Sequence, residues 1–146
     1  MGCGLKIVIV EVEDPYYLGI EIHASNGRFS GATIIRIGID QLTEFANEIT
    51  GFPSSPHDSR IYEFGEIDTE NVRGYCKLRF YCIDLVGHAM VDVELMDDSD
   101  WYPEHLSGAS AKFSISTIAS DLDRFTNNLR SIEKIQSGEA SIGCYD

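Results

Sequence analysis

The four histidines are the first candidates for acid–base or metal chemistry in this sequence. His23 and His88 fall on the polar side or at the end of predicted strands, whereas His57 and His105 fall in predicted loops. None has the HExxH spacing or another metal-binding spacing. We therefore expect solvated histidines and no metal site. A zinc site assembled across the fold from His and Cys stays open as an alternative.

The most unusual segment is the sequence DDSDWYPEH at 97–105, which carries the single Trp of the chain. A calcium loop begun at Asp98 fails, because Pro103 stands where the sharp turn needs glycine. Trp and Tyr are enriched at interface hot spots, and acidic groups steer basic partners. We therefore predict a partner-binding site. Its residues are Asp97, Asp98, Asp100, Trp101, Tyr102 and Glu104.

Two alternatives surround this predicted site. Trp101 could instead cap a helix or a sheet edge while the acidic residues face water. Conversely, the polar faces of other strands could extend the same acidic surface. The residues that would extend it are Glu11, Glu13, Glu21, Asp92 and Glu94.

Motifs for known enzyme classes are missing from the sequence. It has no GxSxG, P-loop or GxGxxG pattern, and Gly2-Cys3-Gly4 precedes the first strand instead of following one. A carboxylate pair for hydrolysis could be drawn from the 24 acidic residues in many ways, so it has no specificity. We expect no catalytic residue and no cofactor, and the enzyme interpretation is poorly supported.

Composition limits the partners and the compartment. The 146 residues carry a formal charge of −13, which disfavours nucleic acid and suits a basic protein or plain solubility. No apolar run approaches the ~18 residues of a membrane span, and the N-terminus lacks a signal-peptide pattern. The four cysteines lack a CxxC pair, which predicts reduced, buried thiols in a cytoplasmic protein.

Hydrophobic periodicity predicts an α+β fold, with a mostly antiparallel sheet covered by two amphipathic helices. One helix follows Asp40 and ends at Gly51; a longer one follows Ser120 and ends near Gly138. Asn26-Gly27 is typical of a tight hairpin turn. Strands are predicted at 5–12, 18–24, 33–39, 60–67, 75–86, 88–96, 111–117 and 139–145.

The order of these elements repeats along the predicted single domain, residues 1–146. Halves at about 5–67 and 75–145 both read βββαβ. At an offset of 71, Ile7, Ile20 and Ile22 align with Leu78, Val91 and Val93; at an offset of 80, Phe45 aligns with Phe125. The nine-residue difference falls inside 97–110. Similar spacing could arise by coincidence, but the shared order favours an internal duplication.

Segment 84–95, DLVGHAMVDVEL, followed by a Trp-bearing loop and a strand–helix close, resembles a family of small uncharacterised bacterial α+β proteins. Members of that family are often suspected of being immunity or accessory proteins of toxin systems. The resemblance implies a cytoplasmic binding protein without catalysis, and it supplies no functional residues.

Together these patterns predict a non-enzymatic acidic binding protein, of the immunity or accessory kind, that engages a basic protein partner such as a toxin. The alternative is a small-molecule-binding protein or enzyme with a pocket between sheet and helices. A homodimer formed through an open sheet edge is a further possibility.

Overall fold

The strands form two four-stranded antiparallel sheets. We describe the chain from a computed structural model that covers residues 2–67, 72–97 and 109–145. The strands are β1 (Gly4–Glu13), β2 (Tyr17–Ser25), β3 (Ser30–Ile37), β4 (Ser59–Ile67), β5 (Val72–Cys82), β6 (His88–Met96), β7 (Ser110–Ile118) and β8 (Glu139–Gly143). The predicted α+β class with two helices is confirmed, but two sheets take the place of the single one expected.

Each half of the chain gives its last strand to the sheet of the other half. Sheet I has the order β3-β2-β1-β8, and sheet II has the order β7-β6-β5-β4. Strand β4 therefore belongs to sheet II, although it follows the first three strands in sequence. Strand β8 returns from the second half to pair with β1. This exchange ties both halves into one structure.

The two sheets share one register. In sheet I, Ile7 faces Ile22 across β1 and β2; in sheet II, Leu78 faces Val93 across β5 and β6. These pairs lie at the sequence offset of 71. The third strands follow at the offset of 80, since Ile20 faces Ile35 and Val91 faces Ile115. The repeated geometry agrees with the predicted duplication, which itself stays a prediction.

One hydrophobic core collects the inner faces of both sheets and the apolar stripes of both helices. Alternating residues point inward, as strands buried on one face require. In β2, for example, Leu18, Ile20 and Ile22 are fully buried. We call the opposite side of each sheet its outer face.

Both helices place an apolar stripe against this core. Helix α1 (Gln41–Ile49) buries Leu42, Phe45, Ala46 and Ile49, as the spacing predicts. Helix α2 (Ala119–Ile135) buries Leu122, Phe125, Thr126, Leu129 and Ile132. The ring of Phe45 lies 4.9 Å from that of Tyr62 and 5.0 Å from that of Phe64. A cluster of aromatic residues thus joins α1 to sheet II.

The helix ends differ from the predicted caps. Asp40 makes no side-chain cap hydrogen bond, and α2 begins at Ala119, so Ser120 lies inside the helix instead of capping it. Gly51 takes the left-handed conformation expected after α1, with φ of 81°. At the end of α2, Gln136 adopts that conformation instead, with φ of 57°.

The Asn26-Gly27 turn is wider than predicted. Strands β2 and β3 are joined by four residues, 26–29, closed by a backbone hydrogen bond from Asn26 N to Phe29 O of 3.0 Å. The side-chain oxygen of Asn26 accepts hydrogen bonds from the next amides, Arg28 N and Phe29 N. This Asx geometry holds the loop without a two-residue turn.

The sheets meet where β3 crosses the strand ends of sheet II. The Thr33 hydroxyl donates a 2.8 Å hydrogen bond to the backbone oxygen of Met96. Gly74, with φ of 82°, lies so close to Ile34 that a Cβ would stand 2.3 Å from the Ile34 backbone oxygen. Glycine is therefore required at this crossing.

The prediction of four reduced thiols is wrong for two of them. Cys3 and Cys144 form a disulfide across 141 positions of sequence, next to the pairing of β1 with β8. Cys76 is a buried free thiol, as expected, and burial raises its pKa far above the usual range. Cys82 is free and half-buried. The sequence could not show that the first and last strands lie side by side.

Candidate functional site

Most of the predicted partner-binding residues lie outside the described residues. Asp98, Asp100, Trp101, Tyr102 and Glu104 fall in 98–108, so the structure does not test them. Asp97 is described, and its amide donates a 2.8 Å hydrogen bond to the backbone oxygen of Ala109. Residues 97 and 109 are therefore joined where β6 ends and β7 begins.

The 97–105 segment lies in the connection between β6 and β7. The link between β6 and β7 spans thirteen residues, 97–109, whereas its counterpart between β2 and β3 spans four. The predicted nine-residue difference falls at this one connection. The strands on either side of the longer connection pair in the same register as β2 and β3.

An acidic hairpin projects from sheet I. All residues from Val10 to Tyr16 are exposed, because β1 runs beyond the core before it turns back into β2. This segment carries Glu11, Glu13 and Asp14, and Tyr16 is 75% exposed at its tip. We refer to residues 10–17 as the acidic hairpin. It combines three negative charges with exposed aliphatic and aromatic surface.

Contacts inside the acidic hairpin hold part of this surface in place. The Tyr17 hydroxyl donates a 3.0 Å hydrogen bond to Glu11 Oε1, and this bond raises the pKa of Tyr17. The Arg36 guanidinium stands 4.9 Å from the centroid of the Tyr17 ring and 4.0 Å from Glu11 Oε2. The side chains of Glu13 and Asp14 make no hydrogen bond or ion pair within the described part of the chain.

The outer face of sheet I next to the hairpin is partly apolar. Ile34 is 46% exposed and Val10 is 49% exposed, whereas the polar neighbours Glu21 and His23 contact each other. Apolar residues surrounded by charged ones are typical of protein–protein interfaces. Together with the hairpin, this face can present a mixed apolar and acidic surface to another protein.

The outer face of sheet II contains a cavity of about 430 Å³. The charged side chains that line it come from three neighbouring strands: Lys77, Arg79, Asp92, Glu94 and Lys112. The register puts them in two rows, Lys77–Glu94–Lys112 and Arg79–Asp92–Ser114. Among the described residues, core side chains pack between the sheets and the helices, and the alternative of a pocket there stays a prediction.

Asp92 organises the second row. Its carboxylate accepts hydrogen bonds from the hydroxyls of Ser114, at 2.6 Å, and Tyr81, at 3.1 Å. Arg79 Nη1 lies 3.5 Å from the other carboxylate oxygen, and the guanidinium stands 4.5 Å from the centroid of the Tyr81 ring. Desolvation and the Asp92 contact raise the pKa of Tyr81. Asp92 is therefore a structural anchor of this face.

The predicted continuous acidic surface is divided between two sheets. Glu11, Glu13 and Glu21 lie on sheet I, whereas Asp92 and Glu94 lie on sheet II among basic residues. The sequence showed alternating charge in each strand, but it could not show which strands share a sheet. Of these five acidic residues, only Glu11, Glu13 and Glu21 can act together with the tip of the acidic hairpin.

The described histidines differ in exposure. His57 is exposed, as predicted, whereas His23 and His88 are half-buried and each contacts a carboxylate, Glu21 and Asp84 respectively. The His88 ring also stacks on Tyr145 at 4.1 Å. His105 lies outside the described residues. Within the described ranges, no three His, Cys, Asp or Glu side chains are grouped to hold a metal ion.

Comparison with known proteins adds no relative. No protein-family model matches the chain, and no curated protein or solved structure matches it. Neither helix is long and apolar enough to cross a membrane, among the residues that the structure describes.

Proposed function

We propose that the chain is a non-enzymatic binding protein whose acidic surface engages a basic protein partner. In the form predicted from the sequence, it is an immunity or accessory protein of a toxin system. The observation that carries the proposal is the acidic hairpin, since residues 10–16 are all exposed and three of them are acidic. A hairpin that extends beyond its core buries little surface for stability, so binding gives a reason for it.

The charge and the apolar surface have separate roles in this proposal. Carboxylates speed the encounter with a basic partner and select against acidic ones. Tyr16 and Val10 then supply contact area that excludes water, as interface centres do. An acidic inhibitor that covers a phosphate-binding cleft would use both features.

The 97–105 segment belongs to the same proposal as a second contact region. Its carboxylates and Trp101 stay the residues predicted from the sequence for partner binding. A single basic partner could touch both regions or one of them. Variants of each region separate these cases.

Immobilised protein and a lysate of the source organism provide the test. The hairpin variant Glu11→Gln/Glu13→Gln/Asp14→Asn removes three charges, and Glu44→Gln/Glu48→Gln/Asp123→Asn removes three exposed charges from the helices as a matched control. We expect the wild type and the control to retain one basic protein at low salt, and the hairpin variant to lose it. Near 1 M salt, where charges are screened beyond about 3 Å, the wild type should release the basic protein.

Two results would overturn the proposal: equal retention by the hairpin variant and the wild type, or retention that ignores ionic strength. Trp101→Ala decides the role of the second region. Loss of the partner with Trp101→Ala alone would move the binding site to the 97–105 segment.

The compartment is part of the proposal too. A cytoplasmic location, as the sequence predicts, requires that Cys3 and Cys144 be kept reduced in the cell, because cytosolic thiols rarely stay oxidised. Alkylation of acid-quenched cells, followed by mass spectrometry of the two cysteines, distinguishes the cases. A fully oxidised pair would place the protein in an oxidising compartment.

The predicted homodimer through a sheet edge is a separate proposal about the partner. Part of the β7 edge is already occupied, since Tyr145 N donates a 3.0 Å hydrogen bond to Ser116 O. The size of the protein in solution, measured over a range of concentrations, decides between monomer and dimer.

A further inference from the structure

The outer face of sheet II differs in charge from the rest of this acidic protein. Three of the eleven basic residues of the chain lie together there, Lys77, Arg79 and Lys112, with two carboxylates between them. The cavity they line, about 430 Å³, has the size of a small-molecule pocket. The charged lining has a net charge of +1 in a chain of charge −13, and Glu63 of β4 is the cross-strand neighbour of Lys77 on the side away from Glu94.

The two lysines are uncommitted, whereas the arginine is not. Arg79 is engaged by Asp92 and by the hydroxyl of Ser59, 3.3 Å from its Nε. Neither Lys77 nor Lys112 has an ion pair within 4.0 Å in the part of the chain that the structure describes. Both ammonium groups are therefore available to a ligand.

The register brings the lysines within reach of a single group. They flank Glu94 on neighbouring strands. Strands lie about 4.8 Å apart, which puts the two Cα atoms about 10 Å apart. Two four-carbon side chains can converge over that distance on one compact anion.

We propose that this cavity is a binding site for a small molecule with a phosphate or carboxylate group, held between the ammonium groups of Lys77 and Lys112. Lysine binds such groups as a point charge. Arg79, held in place by Asp92 and Tyr81, adds positive potential at one side. Glu94 opposes the anion and limits its size and charge.

The corresponding positions of sheet I support the assignment by contrast. Lys6, His23 and Ala32 stand where sheet II has Lys77, Glu94 and Lys112. Lys6 is paired with Glu139 at 3.8 Å, and Ala32 carries no charge. The scaffold therefore does not require the two free lysines.

NMR titration of ¹⁵N-labelled protein at constant ionic strength tests the proposal. Pyrophosphate and citrate serve as the phosphate and carboxylate probes, and sodium chloride serves as the reference. We expect saturable shifts at the amides of 77–79, 92–94 and 112–114 with one or both probes. Which probe binds tighter identifies the anionic group. Shifts that do not saturate, or that are spread over the surface, would overturn the proposal.

Variants at three positions make the test specific. Lys112→Ala, which copies the residue of sheet I, should weaken binding about tenfold, the loss of a charge-assisted contact. Lys6→Ala is the matched control on sheet I and should leave the affinity unchanged. Equal affinity of Lys112→Ala and the wild type would contradict the proposal.

Glu94→Gln gives the opposite sign. Removal of the opposing carboxylate should strengthen binding of the anion. Weaker binding would show that the ligand needs the carboxylate, as a zwitterion or a cation would, and the anion proposal would be wrong. None of these outcomes depends on the acidic hairpin.

Discussion

The outer faces of the two sheets share a register but differ in chemistry. At the offsets that align the strands, Val8 of sheet I corresponds to Arg79 of sheet II, Ile34 to Ser114, and Ala32 to Lys112. Sheet I therefore has a partly apolar face that continues into an acidic hairpin. Sheet II has a polar face with a cavity between basic side chains.

The inner faces differ less, with Thr33 corresponding to Phe113 and Ile37 to Thr117 among otherwise apolar pairs. Ile7 and Leu78 correspond, as do Ile20 and Val91, and all four are fully buried. Core positions favour apolar residues of suitable volume, because a buried unpaired polar group costs several kcal/mol, about 2–7 by transfer measurements. The buried hydroxyls of Thr33 and Thr126 donate hydrogen bonds to backbone oxygens. Outer positions are free of that constraint. Residues that distinguish one sheet from the other are thus the ones to test for function.

We expect the largest effect on stability from a substitution in the shared hydrophobic core. Phe45 contacts aromatic rings of α2 and sheet II, with the Phe125 ring 6.2 Å away. We expect Phe45→Ala to lower the free energy of unfolding by about 3–5 kcal/mol, the usual cost of truncating a buried Phe. Urea unfolding measures this change.

Tyr16→Ala, in the exposed acidic hairpin, is the control for that measurement. It should change the free energy of unfolding by less than about 0.5 kcal/mol. A cost for Tyr16→Ala comparable with that of Phe45→Ala would mean that the hairpin is part of the fold and not a free surface.

The disulfide gives sheet I a source of stability that sheet II lacks among the described residues. Cys3 and Cys144 close almost the whole chain into a loop, and sheet II has no counterpart at its aligned strands in the described part of the chain. Replacing both cysteines with serine should cost about 2–4 kcal/mol by releasing the unfolded chain. Reducing agent should lower the wild type to the same stability. A wild type that resists this treatment would contradict the predicted role.

The junction between the sheets predicts a smaller effect. Gly74→Ala combines a positive φ with a Cβ 2.3 Å from a backbone oxygen, whereas Gly27→Ala has a similar φ and open space. The strain of a positive φ alone costs about 1–2 kcal/mol. We expect Gly74→Ala to cost clearly more than Gly27→Ala in thermal unfolding. Equal costs would show that β3 does not press on β5.

Local patterns in the sequence predicted most of the elements, because each strand or helix shows its own buried stripe. Leu42, Phe45 and Ile49 mark α1 without any knowledge of the partner surface. The division into two sheets was missed, since no local pattern tells that β4 pairs with β5 while β8 returns to β1. That pairing also brings Cys3 to Cys144.

The candidate sites show the same limit. Glu11, Glu13 and Asp14 are visible as acidic residues, but their exposure follows from β1 running past the core, which depends on where the partner strands end. The cavity depends on Lys112 lying one strand away from Glu94 and two from Lys77. These residues are too far apart in sequence to form a recognisable motif.

The helix-to-strand connections give the smallest predicted effect. After α1, Arg60 donates to the backbone oxygens of Glu48 and Thr50 and pairs with Asp58 at 2.9 Å. These contacts tie the end of α1 to β4. The three-residue connection from α2 to β8 has no equivalent ion pair in the region described.

The Asp58–Arg60 pair predicts a pH dependence. Hydrogen bonds from Arg60, and then from the amide and hydroxyl of Ser54, lower the pKa of Asp58 to about 2. The folded state therefore holds the charged carboxylate more strongly than the unfolded state. The stabilisation is complete above the unfolded pKa, near 4, and disappears as the pH falls towards 2. Because the pair is partly solvated, we expect a stabilisation of about 1 kcal/mol.

Urea unfolding between pH 5 and pH 2 should show the loss of this stabilisation in the wild type. Asp58→Asn should lack it, whereas Asp40→Asn, which removes an exposed carboxylate outside the pair, should keep it. A wild-type profile from Asp58→Asn would show that the pair does not stabilise the connection.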